Sequence, residues 1–217
     1  FDTLGMALTI EDSLSATVRD GSGVTVDVRG VGEGEVPTDE SNLIARSMAH
    51  AFSSKGVEMP GIDLVAHNVI PHGRGLGSSG AAIVSGVMAA KGLLEGIVDF
   101  TPEELLSLAT DMEGHPDNIA PSLFGGLTIA WMTEEGPKHK QLSVHRGVSL
   151  VVAVPEDASM STQLARSLQP ETVPHQDAIF NLSRSALLIA ALIQSPELLF
   201  EATDDRLHQN YRASAMQ

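Results

Sequence analysis

Residues 71–82 read Pro-His-Gly-Arg-Gly-Leu-Gly-Ser-Ser-Gly-Ala-Ala, a composition suited to gripping an anion with main chain rather than side chain. Gly73, Gly75, Gly77 and Gly80 allow positive φ and a close approach of backbone to ligand. Ser78 and Ser79 add hydroxyls suited to phosphate or Mg2+. The apolar, small-residue stretch from Ala81 to Leu94 predicts a buried helix, whose start offers unpaired N–H groups and the positive end of a dipole. No lysine lies in the segment, and such a helix start lets a phosphate bind without one. The plainer alternative is a tight strand-to-helix turn in which glycine serves packing alone. Four glycines and a serine pair at one helix start weigh against it. Gly75–Gly80 also satisfies G-x-G-x-x-G literally, but a dinucleotide fold requires an acid closing a second strand about 20 residues on. Here Glu95 ends a helix and another helix follows from 102. A Walker A loop fails for want of Gly-Lys-Ser/Thr, and no HRD or DFG equivalent follows for a protein kinase.

Glu113, His115 and Asp117 alternate over a short span and raise the question of a metal cluster. Pro116 between them and the lack of a further histidine in ligand spacing argue against zinc. Glu113 alone would be an ordinary residue ending a helix, where a negative charge opposes the dipole. Arg166 and Arg212, by type alone, are solvated surface cations. Thr162 and Asn42 stand where helix caps are expected.

These residues need elements to hold them. Alternation predicts strands at 7–10, 16–18 and 24–28, with Gly21-Ser22-Gly23 as a turn and a Gly/Glu/Pro-rich loop over 31–40. Helical spacing of Leu43, Ile44, Met48 and Phe52 predicts a helix over 42–52, and 62–70 predicts a strand that leads into the glycine segment. Thr101-Pro102-Glu103-Glu104 carries a complete helix-start signal, and that helix runs to about Glu113. A loop or short helix over 115–126 and a strand over 127–131 follow. The apolar run Val148–Val154 predicts a strand just past a domain boundary, then helices at 161–168, 176–194 and 196–211. The class is α+β in two parts.

Composition bounds the rest. The chain has 217 residues, 42% hydrophobic, with a net charge of −15, enough to bury a core and unsuited to a nucleic-acid surface. It lacks cysteine, which excludes disulfides and thiolate chemistry and fits a reducing compartment. No apolar run approaches the roughly 20 residues of a membrane span, no secretory signal is visible, and a cytoplasmic protein without membrane partners is expected. Opening on Phe1 and stopping at Gln217, the sequence reads as a segment of something longer.

The segment Pro71-His72-Gly73-Arg74-Gly75-Leu76-Gly77-Ser78-Ser79-Gly80-Ala81 resembles the phosphate loop of GHMP kinases, Pro-x-x-x-Gly-Leu-Gly-Ser-Ser-x-Ala, at every fixed position. Further stretches resemble the homoserine kinase branch: Phe1–Gly5, Glu113–Pro121 running on to Phe124-Gly125-Gly126, Ser161-Thr162-x-x-Ala165-Arg166, and His208-Gln209-x-Tyr211-Arg212. The resemblance implies a two-domain fold, with an ATP-binding part over 1–146 like domain 2 of ribosomal protein S5 and a truncated ferredoxin-like α+β part over 147–217. It implies ATP-dependent phosphorylation of L-homoserine, Mg2+ held by Ser79 and Glu113, and possible homodimers. Arg166 and Arg212 become a clamp for the substrate carboxylate, Asp2 with His115 a partner for its amine, Thr162 a hydroxyl contact, and Asn42 a contact to adenine. Mevalonate kinases use an Asp where this chain has Asn118. Asn cannot take a proton, so either the γ-phosphate accepts it or Asp117 serves as base. The alternatives are a mevalonate- or sugar-type GHMP kinase, a nicotinamide oxidoreductase, and a nucleotide-binding sensor without turnover.

Overall fold

The structure is a computed structural model that describes residues 3–154 and 167–215. The chain divides into two compact units, residues 1–72 with 76–141, and residues 73–75 with 142–217.

In the first unit, strands β2 (Ser13–Arg19), β3 (Val24–Gly30) and β4 (Gly61–Asn68) form a sheet in the order β2-β4-β3, with β2 antiparallel and β3 parallel to β4. A parallel neighbour requires a crossover, and helix α1 (Leu43–Ser54) lies on it. β3 shows the alternation of a strand with one face covered: Val24, Val26 and Val28 are buried while Thr25 and Asp27 are exposed. Those valines join Ile62, Leu64, Met48, Phe52, Ile83, Val87, Leu105 and Leu106 in one core shared with helices α2 (Ser78–Leu93) and α3 (Pro102–Glu113). Helices α1 and α2 approach closely because Gly86 faces the Ile44 carbonyl, and a Cβ there would lie only 2.8 Å from Ser47 Cβ. Thr101 forms the expected capping box on α3, with Glu104 N donating to Thr101 Oγ1 at 3.1 Å and Thr101 N donating to Glu104 Oε2 at 2.8 Å.

A second sheet orders β1 (Leu4–Met6), β5 (Leu127–Thr133) and β6 (Gly136–Leu142), with the short helix α4 (Ile119–Phe124) leading into β5. The strand expected at 7–10 does not form. Met6 pairs with Leu127, the first residue of β5, so residues beyond Met6 run past the end of their partner. β6 went unforeseen because its sequence, Gly-Pro-Lys-His-Lys-Gln-Leu, carries almost no apolar alternation.

The second unit contains helices α5 (His175–Ile193), α6 (Leu199–Ala202) and α7 (Gln209–Arg212). Past Leu142, where β6 ends, its described residues hold no strand. The run 148–154 is irregular and open, Val151 being 93% exposed, since an apolar run becomes a strand only by pairing and no described strand pairs with it. The single helix expected over 196–211 is broken: Asp205 takes the backbone N–H groups of His208 and Gln209 at 2.7 and 2.6 Å and restarts the chain as α7. α5 is, by length and composition, long and apolar enough to cross a membrane, although no such run was expected from the sequence. It carries Asp177 and Arg184. The helix expected at 161–168 falls almost wholly outside the described residues.

Candidate functional site

Strand β4 delivers the chain to the glycine segment under tight control. Asp12 Oδ1 accepts the N–H groups of Val69 (2.6 Å) and Ile70 (2.9 Å), and Asn68 O accepts Val31 N at 3.0 Å. Beyond Pro71, the His72 ring lies against Gly32, where a Cβ would come 3.2 Å from His72 Nδ1. Gly73, Gly75 and Gly77 then all take positive φ (66°, 73° and 75°), a conformation that costs any L side chain energy. Gly77 is the left-handed N-cap of α2, and the first intrahelical bond runs from Ala81 N to Gly77 O at 2.9 Å.

The start of α2 has no side-chain cap, whereas Asn42 caps α1 and Thr101 caps α3. The N–H groups of Ser78, Ser79 and Gly80 precede the first helical bond and have no acceptor within the helix. A helix end left open while its neighbours are capped is suited to an external anion.

Two further elements converge on this helix start. α3 ends at Glu113, after which Gly114 turns the chain in the left-handed conformation (φ 92°). Ser79 Oγ donates to Glu113 Oε2 at 2.8 Å, joining residues 34 apart in sequence. A hydroxyl and a carboxylate are hard oxygen donors, and they suit a Mg2+ ion that keeps waters and phosphate oxygens as its other ligands. A cation there would also offset the placement of Glu113 at the negative end of α3. Among the described residues, no group of three or more His, Asp or Glu side chains could hold a metal ion.

The loop from His115 brings Asn118 to the same helix start. A Cβ on Gly80 would lie 3.3 Å from Asn118 Cβ, and one on Gly77 would lie 3.7 Å from Asn118 Oδ1. Asn118 is exposed and makes no side-chain cap to α4, so its amide is open. Asp117 does not share this placement: its carboxylate meets His115 Nδ1, and both side chains are largely covered. Gly5, in β1, is pressed so closely against the Asp117 carbonyl and Pro121 that no side chain fits there. Gln141 of β6 holds the far end of the loop, its Nε2 donating to Phe124 O (2.6 Å) and Gly125 O (3.0 Å), while His139 stacks on Phe124 at 3.8 Å. Neither residue carries a local signal, since both lie on β6, a strand without apolar alternation.

The first unit thus gathers Gly77, Ser78, Ser79, Gly80, Glu113 and Asn118, with His115 and Asp117 paired on the adjoining loop. Arg212 ends α7 in the second unit. Asp2, Thr162 and Arg166 lie outside the described residues. Asn42 is only 5% exposed, and its amide is engaged at both ends: Oδ1 accepts Ile44 N at 2.9 Å and Nδ2 donates to Pro37 O at 2.6 Å. Asn42 thus takes the capping role that the sequence also offered, and ties Pro37 to the start of α1.

Residues 42–126 match the family described as GHMP kinases N terminal domain. The whole chain is 71% identical to the homoserine kinase of Clavibacter michiganensis subsp. michiganensis, spanning 68% of that protein. It is 46% identical to the homoserine kinase of Streptomyces coelicolor, spanning 70% of it. Among solved structures, a homoserine kinase from Cytophaga hutchinsonii superposes with a TM-score of 0.81 at 26% identity, over 99% of this chain and 70% of that one.

Proposed function

The chain belongs to the homoserine kinase family of GHMP kinases, and from that membership we propose that it transfers the γ-phosphoryl group of ATP to the side-chain hydroxyl of L-homoserine. The product is O-phospho-L-homoserine, an intermediate of threonine synthesis. The observation that carries the mechanism is the uncapped start of α2 with Ser79, Glu113 and Asn118 gathered on it.

Phosphoryl transfer needs positioning and neutralisation of charge more than covalent help. The amides of residues 76–80 cradle the β- and γ-phosphates, so the lack of lysine in the segment costs nothing. Mg2+, when bound, neutralises the phosphate oxygens, and Ser79 and Glu113 are the residues that would hold it. Asn118 donates from its amide or accepts at its Oδ1 to aim the substrate hydroxyl at phosphorus. The new bond joins that oxygen to the γ-phosphorus while the bond from phosphorus to the β–γ bridging oxygen breaks, and ADP leaves with the electron pair. The hydroxyl proton passes to a γ-phosphoryl oxygen, because Asn118 cannot accept it and Asp117 is engaged with His115. His115, so oriented, and Asp2 receive the substrate amine. Arg166 and Arg212 bind its carboxylate in the bidentate manner open to guanidinium, with Thr162 as a further contact. Residues 1–146 serve as the ATP-binding domain and 147–217 as part of the substrate-side domain.

The test is ADP release by the full-length protein across homoserine, mevalonate, galactose and shikimate. Turnover confined to homoserine is expected. Turnover confined to mevalonate or galactose would overturn the substrate while leaving the kinase fold intact.

A further inference from the structure

Helix α7 has only four residues, too few to hold itself against the cost of nucleating a turn. Its N-cap, His208, supplies no side-chain bond to the helix. What holds it lies outside it. The Asp205 carboxylate accepts His208 N (2.7 Å) and Gln209 N (2.6 Å) on Oδ2, and on Oδ1 it accepts Asn181 Nδ2 (2.6 Å) and faces His208 Nδ1 (2.9 Å). Asn181 returns the tether, its Oδ1 accepting Arg206 N at 2.9 Å. Gln209 Nε2 closes the loop on Thr203 O at 2.9 Å. The Arg206 guanidinium lies over the Phe180 ring at 3.8 Å and reaches Asp177 Oδ1 at 3.5 Å. Asp177, Phe180 and Asn181 stand at i, i+3 and i+4 and so share one face of α5. The chain from 203 to 209 is thus bolted to that face, and the bolt ends at the segment carrying Tyr211 and Arg212.

We propose that Asp205 and Asn181 are positioning residues for substrate binding: their paired side chains fix α7 on α5 and thereby set the place of Arg212. The inference rests on the assignment of Arg212 to the homoserine carboxylate. It adds two residues that touch neither substrate nor nucleotide in that assignment. The roles are specific, because the carboxylate at 205 accepts from the amide at 181 while each keeps an acceptor for the backbone amides it holds. Asp205→Asn sets an amide against the Asn181 amide. Asn181→Asp sets two carboxylates together. The double exchange restores a donor–acceptor pair with the partners reversed.

The experiment compares steady-state kinetics of the full-length protein carrying Asp205→Asn, Asn181→Asp, both together, and Arg212→Ala. Each single change at the bolt is expected to raise KM for homoserine about tenfold, within the range that misplacing a binding group by up to 1 Å costs, with KM for ATP unchanged. The double exchange is expected to recover most of the loss, a coupling that independent sites do not show. Single variants with KM for homoserine within twofold of the parent, while Arg212→Ala raises it, overturn the bolt alone. KM for both substrates rising together, or additive losses in the double exchange, reduce the pair to general stability and also overturn it. An unaffected KM in Arg212→Ala overturns the assignment of Arg212 itself and the bolt's purpose with it. Should Asp205→Asn fail to fold, Asn181→Ala, which cuts only the tether to α5, is judged by the same KM for homoserine against KM for ATP.

Discussion

Replacing Gly80 by alanine separates stability from turnover. Gly80 sits in the first turn of α2 with ordinary helical φ, so alanine is admissible on backbone grounds and by helix propensity favours the fold by up to about 1 kcal/mol. Its Cβ, however, would stand 3.3 Å from Asn118 Cβ and 3.6 Å from Ile119 Cδ1. Carbon pairs prefer roughly 3.5–4.0 Å, so the Asn118 loop must retreat by a few tenths of an ångström. The strain of that retreat opposes the propensity gain, and the net change should stay within about 1 kcal/mol, or roughly 2–4 °C in Tm for a protein of this size. Turnover responds differently. If a 1 Å misplacement costs about 100-fold, a few tenths should lower kcat about three- to tenfold, with KM for ATP unchanged because residue 80 keeps its N–H. Gly92→Ala is the control: it lies in the same helix, exposed, with nothing within 4 Å of the added Cβ, and should gain stability without touching kcat. The assay is coupled ADP release beside thermal unfolding of both variants. A Gly80→Ala enzyme with parental kcat, or one whose loss Gly92→Ala shares, would refute the placement of Asn118 as the residue that aims the hydroxyl.

Glu113→Gln keeps the shape of the side chain but removes its charge, and should raise the Mg2+ concentration needed for half-maximal activity by about tenfold or more, measured by metal titration; an unchanged requirement would exclude Glu113 from the metal site. Gly86→Ala forces α1 and α2 apart at the Ile44 carbonyl and should destabilise the fold by about 1–3 kcal/mol, read from the urea midpoint. Partial burial raises the Asp205 pKa, but the Gln209 N–H, the His208 side chain, the Asn181 amide and the His208 N–H outweigh it and hold the group well below the usual carboxylate range. A carboxylate depressed in the folded state stabilises fully above its unfolded pKa of about 3.9 and loses that contribution as pH falls towards the folded value. Asp205→Ala should therefore be less stable than the parent at neutral pH, with the gap narrowing below about pH 4; a gap independent of pH would contradict the cause given.

Much of the backbone around the glycine segment was legible because its signals are local. Glycines at alternate positions, serines at a helix start and a complete cap at Thr101 each announce a backbone conformation, and α2 and α3 form where those signals stand. α2 begins at Ser78 rather than Ala81 because the serines enter the first turn while Gly77 takes the cap. What could not be read were effects of partners distant in sequence. β6 has no apolar alternation of its own and exists by pairing with β5. Residues 148–154 have every strand-forming residue yet pair with no described strand. Asn42 was legible as a cap, but its second bond, to Pro37 O, was not. The break in the last helix turns on Asp205, whose preference for backbone amides over helix interior is a local signal. Its tie to Asn181, 24 residues back, is not.

Main-chain amides at the open start of α2 are proposed to hold the triphosphate without a lysine. A crystal structure of the full-length protein with Mg2+ and a non-hydrolysable ATP analogue tests it directly. The β- and γ-phosphate oxygens should lie within hydrogen-bond distance of the N–H groups of residues 76–80, with Ser79 and Glu113 at the metal. A polyphosphate bound away from that helix start, or gripped chiefly by lysine or arginine side chains, would contradict the account.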